Sequence, residues 1–153
     1  MELSIHSKSK NIFRKACRYI EKLRTDMGST EDEEEEEIRR VEVPCLLNMG
    51  AVYIAEKNFD DALKEMTKIL EIQEDDESER DLTGYKQWFV KAYYRRGQCY
   101  LGKNEYGLAL DDLSKARDLE PNDKGILNEI ARVKKVKTEY AKKEKQMYGK
   151  LFK

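Results

Sequence analysis

Histidine occurs once in this chain, at His6, and tryptophan once, at Trp88. A single imidazole near the start of the chain has no partner cluster, so it reads as a surface residue, and neither a Ser-His-Asp nor a Cys-His set can be assembled. Cysteine is scarce and unpatterned. Cys17, Cys45 and Cys99 show neither a CxxC motif nor metal-ligand spacing, and an odd number of thiols inside helical stretches suits a reducing compartment. No metal or cofactor is expected, because there is also no glycine-rich phosphate loop, and the acidic residues lie in runs rather than singly in apolar settings that would raise a pKa. With two prolines, eight glycines and no alternating β-branched run bounded by turns, strands are not expected either. No signal peptide is visible and no apolar run approaches about 18 residues, so no membrane partner is expected and the location reads as cytoplasmic, with the nucleus as the alternative. The formal net charge of −1 gives no general reason to bind nucleic acid.

What the chain does have is charge, at 40% of residues against 39% hydrophobic. That balance suits a solenoid of paired helices with two broad solvated faces better than a compact α/β fold. The charge is blocked: Glu31 to Glu37 and Glu74 to Glu79 are acidic, whereas Arg132 to Lys153 is dominated by lysine. Such blocks read as solvated loops and helix faces.

The stretch from Val90 to Asp123 organises the rest. Tyr93, Arg96, Gly97 and Tyr100, then Ala109, Leu113 and Pro121, fall on the tetratricopeptide pattern W-x2-L-G-x2-Y, A-x3-F, P, whose period is about 34 residues. Gly97 and Ala109 are small where the two helices of a repeat must approach, and Tyr93, Tyr100 and Leu113 fill the space around that contact. Pro121 ends the second helix. A second copy places Leu46, Met49, Gly50 and Tyr53, then Ala62 and Met66, in the same order, with Glu74 where the closing proline would stand. Phe13, Ala16, Ile20 and Leu23 look like the second helix of a third copy, whose glycine and tyrosine positions fall on Ser4 and Ser7. The spacings from Ala16 to Ala62 and from Ala62 to Ala109 exceed the repeat period, so residues are inserted each time.

The expected architecture is therefore all-α: tetratricopeptide helix-turn-helix repeats forming an alpha-alpha superhelix, with a long C-terminal capping helix, in one domain over 1–153. A partial first repeat occupies 1–27, with its first helix in the opening dozen residues and its second over 13–27. An acidic insertion at 28–42 leads into the next helix, with Thr30 as a candidate cap. The second repeat spans 43–76, its helices divided near Lys57 and Asn58. Residues 77–89 form an insertion in which Ser78 or Asp81 could begin a longer helix, and Trp88 reads as packing rather than as a ligand-stacking residue. The third repeat spans 90–123. The last helix, 124–153, carries a stripe of Ile126, Ile130, Val133, Val136, Tyr140, Met147 and Leu151. Its first half should cover the open edge of the last repeat, and its second half should project into solvent.

Because no catalytic constellation is present, a binding surface is the remaining option. The first helix of each repeat lines the concave face of such a stack, so residues one turn apart there point together. Lys91 and Arg95 are one turn apart, and Asn48 holds in the second repeat the position that Arg95 holds in the third. An ammonium, a guanidinium and a carboxamide together suit a carboxylate, each charge-assisted bond contributing about 1.5–3 kcal/mol. Ordinary exposed helix cations are the alternative reading of Lys91 and Arg95.

At LLNMGAVY (46–53), KAYYRRGQCYL (91–101) and KEKQMYGKLF (143–152) the chain resembles the co-chaperone domain of the large immunophilins, of either the FKBP type or the cyclophilin type. That resemblance, over about residues 13 to 153, implies three repeats plus a C-terminal helix. It also implies a clamp for the two carboxylates at the end of the Met-Glu-Glu-Val-Asp tail of heat shock protein 90, with the related 70-kDa chaperone as a second partner. Carried onto this sequence, the clamp asparagine is Asn48, its lysine Lys91 and its arginine Arg95. The first-repeat lysine and asparagine of the family pattern fall on Met1 and Ile5, which cannot bind a carboxylate, so the clamp is partial. Any prolyl-isomerase activity would belong to a domain that this sequence does not contain. A repeat scaffold that binds another protein through its groove without the clamp is the alternative function. On the basic terminal helix, Lys142, Lys143, Lys145, Lys150 and Lys153 interleave with Tyr140, Met147, Leu151 and Phe152, a pattern that could form a calmodulin-target-like helix and that the resemblance also implies; a solvated helix end is the competing reading.

Overall fold

A computed structural model describes residues 2–28, 32–75 and 83–152. The described residues form six helices and no strand: α1 (Glu2–Met27), α2 (Asp32–Ala55), α3 (Phe59–Asp75), α4 (Thr83–Gly102), α5 (Tyr106–Leu119) and α6 (Lys124–Leu151). Sequential helices pack as neighbours from α1 to α6, and α2 also touches α4. That last contact is the mark of a superhelix, since it brings the first helices of successive repeats side by side. The all-α tetratricopeptide fold expected from the repeats is the fold observed.

The repeat spacing appears directly in the packing. Ala62 and Ala109 are fully buried, Ala109 beneath the glycine of its own first helix, Gly97. A Cβ built on Gly97 would come within 2.9 Å of Leu113 Cγ and 3.3 Å of the Ala109 carbonyl oxygen, so only glycine lets α4 and α5 sit this close. Met66 and Leu113, four residues after these alanines, are also fully buried. The turn between α2 and α3 reverses at Lys57, whose φ of 58° is left-handed, and the equivalent turn between α4 and α5 reverses at Asn104 with φ 62°. The main core runs from Val43 and Leu46 through Ile69, Phe89 and Leu113 to Ile130 and Val133; a second cluster joins Met49, Tyr53, Ala62 and Cys99 with Phe13 and Cys17 of α1.

One difference concerns the start of the chain. A two-helix partial repeat was expected over 1–27, whereas α1 is a single uninterrupted helix from Glu2 to Met27. No glycine or proline lies between residues 2 and 27 to break it, and Phe13, Cys17 and Ile20 anchor one continuous face. Arg24 bridges to α2 by paired bonds to Glu35 (2.7 and 3.2 Å) and Glu42 (2.7 and 3.0 Å), and Lys10 reaches Glu56 at 2.8 Å. The acidic run therefore does extend the next helix, its later glutamates serving as ion-pair partners. The caps considered at Thr30, Ser78 and Asp81 lie outside the described residues, as does Met1; the side chains of residues 2–7 are likewise not described.

A second feature was not anticipated. Pro44 sits inside α2, where it has no N–H for the carbonyl of Arg40. The helix runs through it because Val43, Leu46 and Leu47 on either side are held in the core.

At the far end, Asp123 caps α6 by accepting a hydrogen bond from the Ile126 amide at 2.9 Å. Ile126, Ile130 and Val133 close the apolar edge of α5, while Met147, Tyr148, Leu151 and Phe152 stay exposed. Trp88 packs edge-on against Tyr85 at 4.9 Å and lies on the core, as the packing reading requires. No helix among the described residues is long and apolar enough to cross a membrane.

Candidate functional site

Lys91 and Arg95 lie one turn apart on α4, the first helix of the third repeat, and they line a common pocket of about 270 Å³. Its other walls are Val90, Tyr94 and Gln98 of the same helix and Asp123, Gly125 and Ile126 at the start of α6. The capping helix thus closes one side of the site, which the spacing of α4 alone could not reveal. Gln98 was readable in principle, lying three residues beyond Arg95 on the same face.

Arg95 is half-buried, and its Nη1 donates to the backbone carbonyl oxygen of Leu47 on α2. No carboxylate among the described residues pairs with it, and burial lowers its pKa below the usual arginine value. A guanidinium satisfied only by a neutral carbonyl retains most of its donors and its full charge for an incoming anion. Lys91 is exposed and makes no ion pair among the described residues.

Asn48 is exposed on α2, adjacent in sequence to the carbonyl that holds Arg95. It does not line the pocket formed by Lys91 and Arg95. The three sequence-selected residues are therefore distributed over the adjoining first helices α2 and α4, with Lys91 and Arg95 in one pocket and Asn48 beside the Arg95 anchor. The position in α2 that matches Lys91 is Pro44, so the second repeat supplies no cation there.

The neighbouring arginine has a different task. Arg96 makes a two-pronged ion pair with Asp112 on α5, Nε to Oδ2 at 2.6 Å and Nη2 to Oδ1 at 2.8 Å. That bond is buried inside the repeat and raises the Arg96 pKa. Of two adjacent arginines, one is consumed by the fold and the other pairs with no acid among the described residues.

Comparison with known proteins agrees with the repeat fold. The tetratricopeptide-repeat family pattern matches residues 90–123, and a related tetratricopeptide pattern matches 43–76. FK506-binding protein 59 of Drosophila melanogaster is 30% identical over 117 residues, which is 76% of this chain and 24% of that protein. Peptidyl-prolyl cis-trans isomerase D of Kluyveromyces lactis is 28% identical over 125 residues, 80% of this chain and 31% of that protein. FK506-binding protein 5 of Rhizopus delemar is 36% identical over 98 residues, 64% of this chain and 21% of that protein. The chain spans roughly a fifth to a third of the length of these curated relatives.

Stacked repeats with an open groove of this kind define a protein-interaction module. In particular, the chain is a tetratricopeptide domain of the kind found in large immunophilins.

Proposed function

We propose that this module binds the acidic C-terminal tail of a chaperone of the heat shock protein 90 class, with the 70-kDa chaperone as a second partner, through a partial carboxylate clamp of Asn48, Lys91 and Arg95. The observation that carries the reading is Arg95: a half-buried guanidinium on the first helix of the third repeat whose one bond among the described residues is to the Leu47 carbonyl, with Lys91, which makes no ion pair among the described residues, one turn away in the same pocket. A terminal carboxylate entering beside them meets two cations in a setting with reduced access to water, where charge-assisted bonds are strongest. Asn48 adds a donor without adding charge.

Calorimetric titration with a Met-Glu-Glu-Val-Asp peptide, beside the same peptide amidated at its C-terminus, tests this. Micromolar affinity, about −8 kcal/mol, that vanishes on amidation is the expected result. Absence of binding to either peptide overturns the clamp.

A second reading is a scaffold that binds another protein through the groove without the clamp. It is favoured by the apolar identities of Met1 and Ile5, where the family clamp has a lysine and an asparagine. Equal affinity for the acid and amide peptides would support it.

A third interaction, with calmodulin, would use the far end of α6, where Met147, Tyr148, Leu151 and Phe152 are exposed among lysines. Calcium-dependent binding that is lost on truncation after Thr138 is its test. The place of action under the chaperone reading is the cytoplasm.

A further inference from the structure

In the third repeat the junction of α3, α4 and α5 is filled by one side chain. Arg96 of α4 is bonded twice to Asp112 of α5, and its Nη1 reaches Thr67 Oγ1 of α3 at 3.5 Å. The corresponding junction one repeat earlier, of α1, α2 and α3, holds a cavity of about 160 Å³. With Gly50 set on Gly97 and Ala62 on Ala109, Met49 stands for Arg96, Leu46 for Tyr93 and Glu65 for Asp112. With Ala16 set on Ala62, Glu21 stands for Thr67. The second repeat therefore has the acid without the arginine. Each of the three helices at the third-repeat junction has its counterpart here, so the cavity follows from the side chains and not from an uncovered face.

Glu65 lines this cavity and is 9% exposed. Its Oε2 is shielded from solvent and accepts no hydrogen bond among the described residues, although Lys68 Nζ, on the largely exposed side chain one turn along α3, lies 3.4 Å away. A buried carboxylate oxygen without a donor is unfavourable, so a donor placed there is strongly favoured. Glu21, also in the lining, is exposed and pairs with no cation among the described residues. Two other polar groups of the wall are engaged: Arg14 donates to the Tyr53 hydroxyl at 3.3 Å, and Glu42 is held by Arg24 at 2.7 Å.

We propose that this cavity is a binding site for a guanidinium group, the side chain of an arginine. Glu65 and Glu21 stand on α3 and α1 where Asp112 and Thr67 stand around the Arg96 guanidinium, so one planar fork can serve both acids. An ammonium, a compact point charge, matches that arrangement less well. Leu46 and Met49 offer apolar surface to the stem. The volume is close to the roughly 150 Å³ that accommodates a benzene-sized guest, which is ample for a planar guanidinium. Arg14, Arg18 and Glu21 are exposed, so the cavity opens to solvent beside α1. It shares no lining residue with the pocket of Lys91 and Arg95.

The test is amide NMR of the whole chain titrated with N-acetyl-arginine amide, with free arginine, and with N-acetyl-citrulline amide, whose neutral urea has nearly the same shape. The arginine compounds should shift amides lining the cavity with a Kd of about 1 mM, and the citrulline compound should bind about tenfold more weakly or not at all. Tighter binding of the blocked amide assigns the site to an arginine of a partner protein, and tighter binding of free arginine assigns it to the small molecule; both outcomes support a guanidinium site. Met49→Arg should supply the guanidinium from within, abolishing binding and raising the melting temperature. Glu65→Gln should weaken binding about tenfold. Because Glu65 is buried, Glu21→Thr at an exposed position is the second variant, expected to weaken binding with the helical circular dichroism unchanged. Arg95→Ala should leave binding unaltered, which separates this cavity from the clamp. Equal affinity for the citrulline compound, no shifts at the cavity, or binding that persists in both Met49→Arg and Glu21→Thr would overturn the proposal.

Discussion

The guanidinium of Arg95 on α4 is bonded to the carbonyl oxygen of Leu47 on α2, one residue before Asn48. This contact joins the first helices of successive repeats and holds a cation at their seam without neutralising it. Replacing Arg95 by alanine should weaken tail-peptide binding by about 1.5–3 kcal/mol, the range for a charge-assisted bond. Lys91→Ala should weaken it in the same direction, and Arg95→Lys should recover only part of the loss, because an ammonium lacks the planar fork. Titration calorimetry with circular dichroism as the control for folding checks all three; unchanged affinity in both alanine variants would remove the two cations from the site.

Arg96 and Asp112 should behave as a structural pair. The Asp112 side chain is 5% exposed and that of Arg96 17%, so Asp112→Ala leaves a largely buried guanidinium uncompensated and should cost about 3 kcal/mol in chemical denaturation. The second repeat has Met49 at the place of Arg96. Combining Arg96→Met with Asp112→Leu should therefore cost much less than Asp112→Ala alone; an additive loss would show that the pair is not energetically coupled.

The two repeat glycines should differ in their tolerance of a methyl group. At Gly97 a Cβ meets the branch carbon of Leu113 and a backbone oxygen, neither of which can withdraw easily, so Gly97→Ala should destabilise by about 1–3 kcal/mol. At Gly50 the added atom meets only the flexible end of Met66, and the gain in helix propensity, about 1 kcal/mol, should largely offset the repacking. Thermal melts of the two variants provide the comparison, with the order Gly50→Ala above Gly97→Ala expected.

Acid should loosen the seam between α1 and α2. The hydrogen bond from Arg24 holds the Glu35 carboxyl below its ordinary value of 4.5. A depressed folded pKa means that the stabilisation is fully present above the unfolded value and is lost as pH falls through the folded one, so the decline should begin below about pH 4.5. In Glu35→Gln the part of the pH dependence due to this pair should be absent. Denaturation midpoints of both proteins between pH 7 and pH 3 decide the matter; parallel curves would show that Arg24 gains nothing from Glu35 ionisation.

The repeats were legible because their chemistry is local in sequence. Gly97 and Ala109, or Gly50 and Ala62, announce a close helix crossing through spacing alone, and the apolar stripe of α6 announced that its first half would be covered. The uninterrupted α1 was not legible as one helix: its first residues lack a periodic apolar face, and their helicity follows from the absence of any breaker between residues 2 and 27. The pocket walls at Asp123, Gly125 and Ile126 were hidden for another reason, since they lie about 30 residues from Lys91 and reach it only when α6 folds back over the last repeat.

Residue type and spacing determined that this chain would stack helices in pairs and that two cations would lie one turn apart on the first helix of the third repeat. Periodicity can do this because a helix converts separation along the chain into a shared face. Which of two adjacent arginines pairs with no acid among the described residues was decided only in three dimensions. Arg96 faces Asp112 inside its own repeat, while Arg95, rotated by one residue, faces the preceding repeat and finds a carbonyl. The half-burial of Ala16 was decided in the same way, because the alanine shared by three copies is fully buried only where, as at Ala62 and Ala109, helices lie on both sides of it.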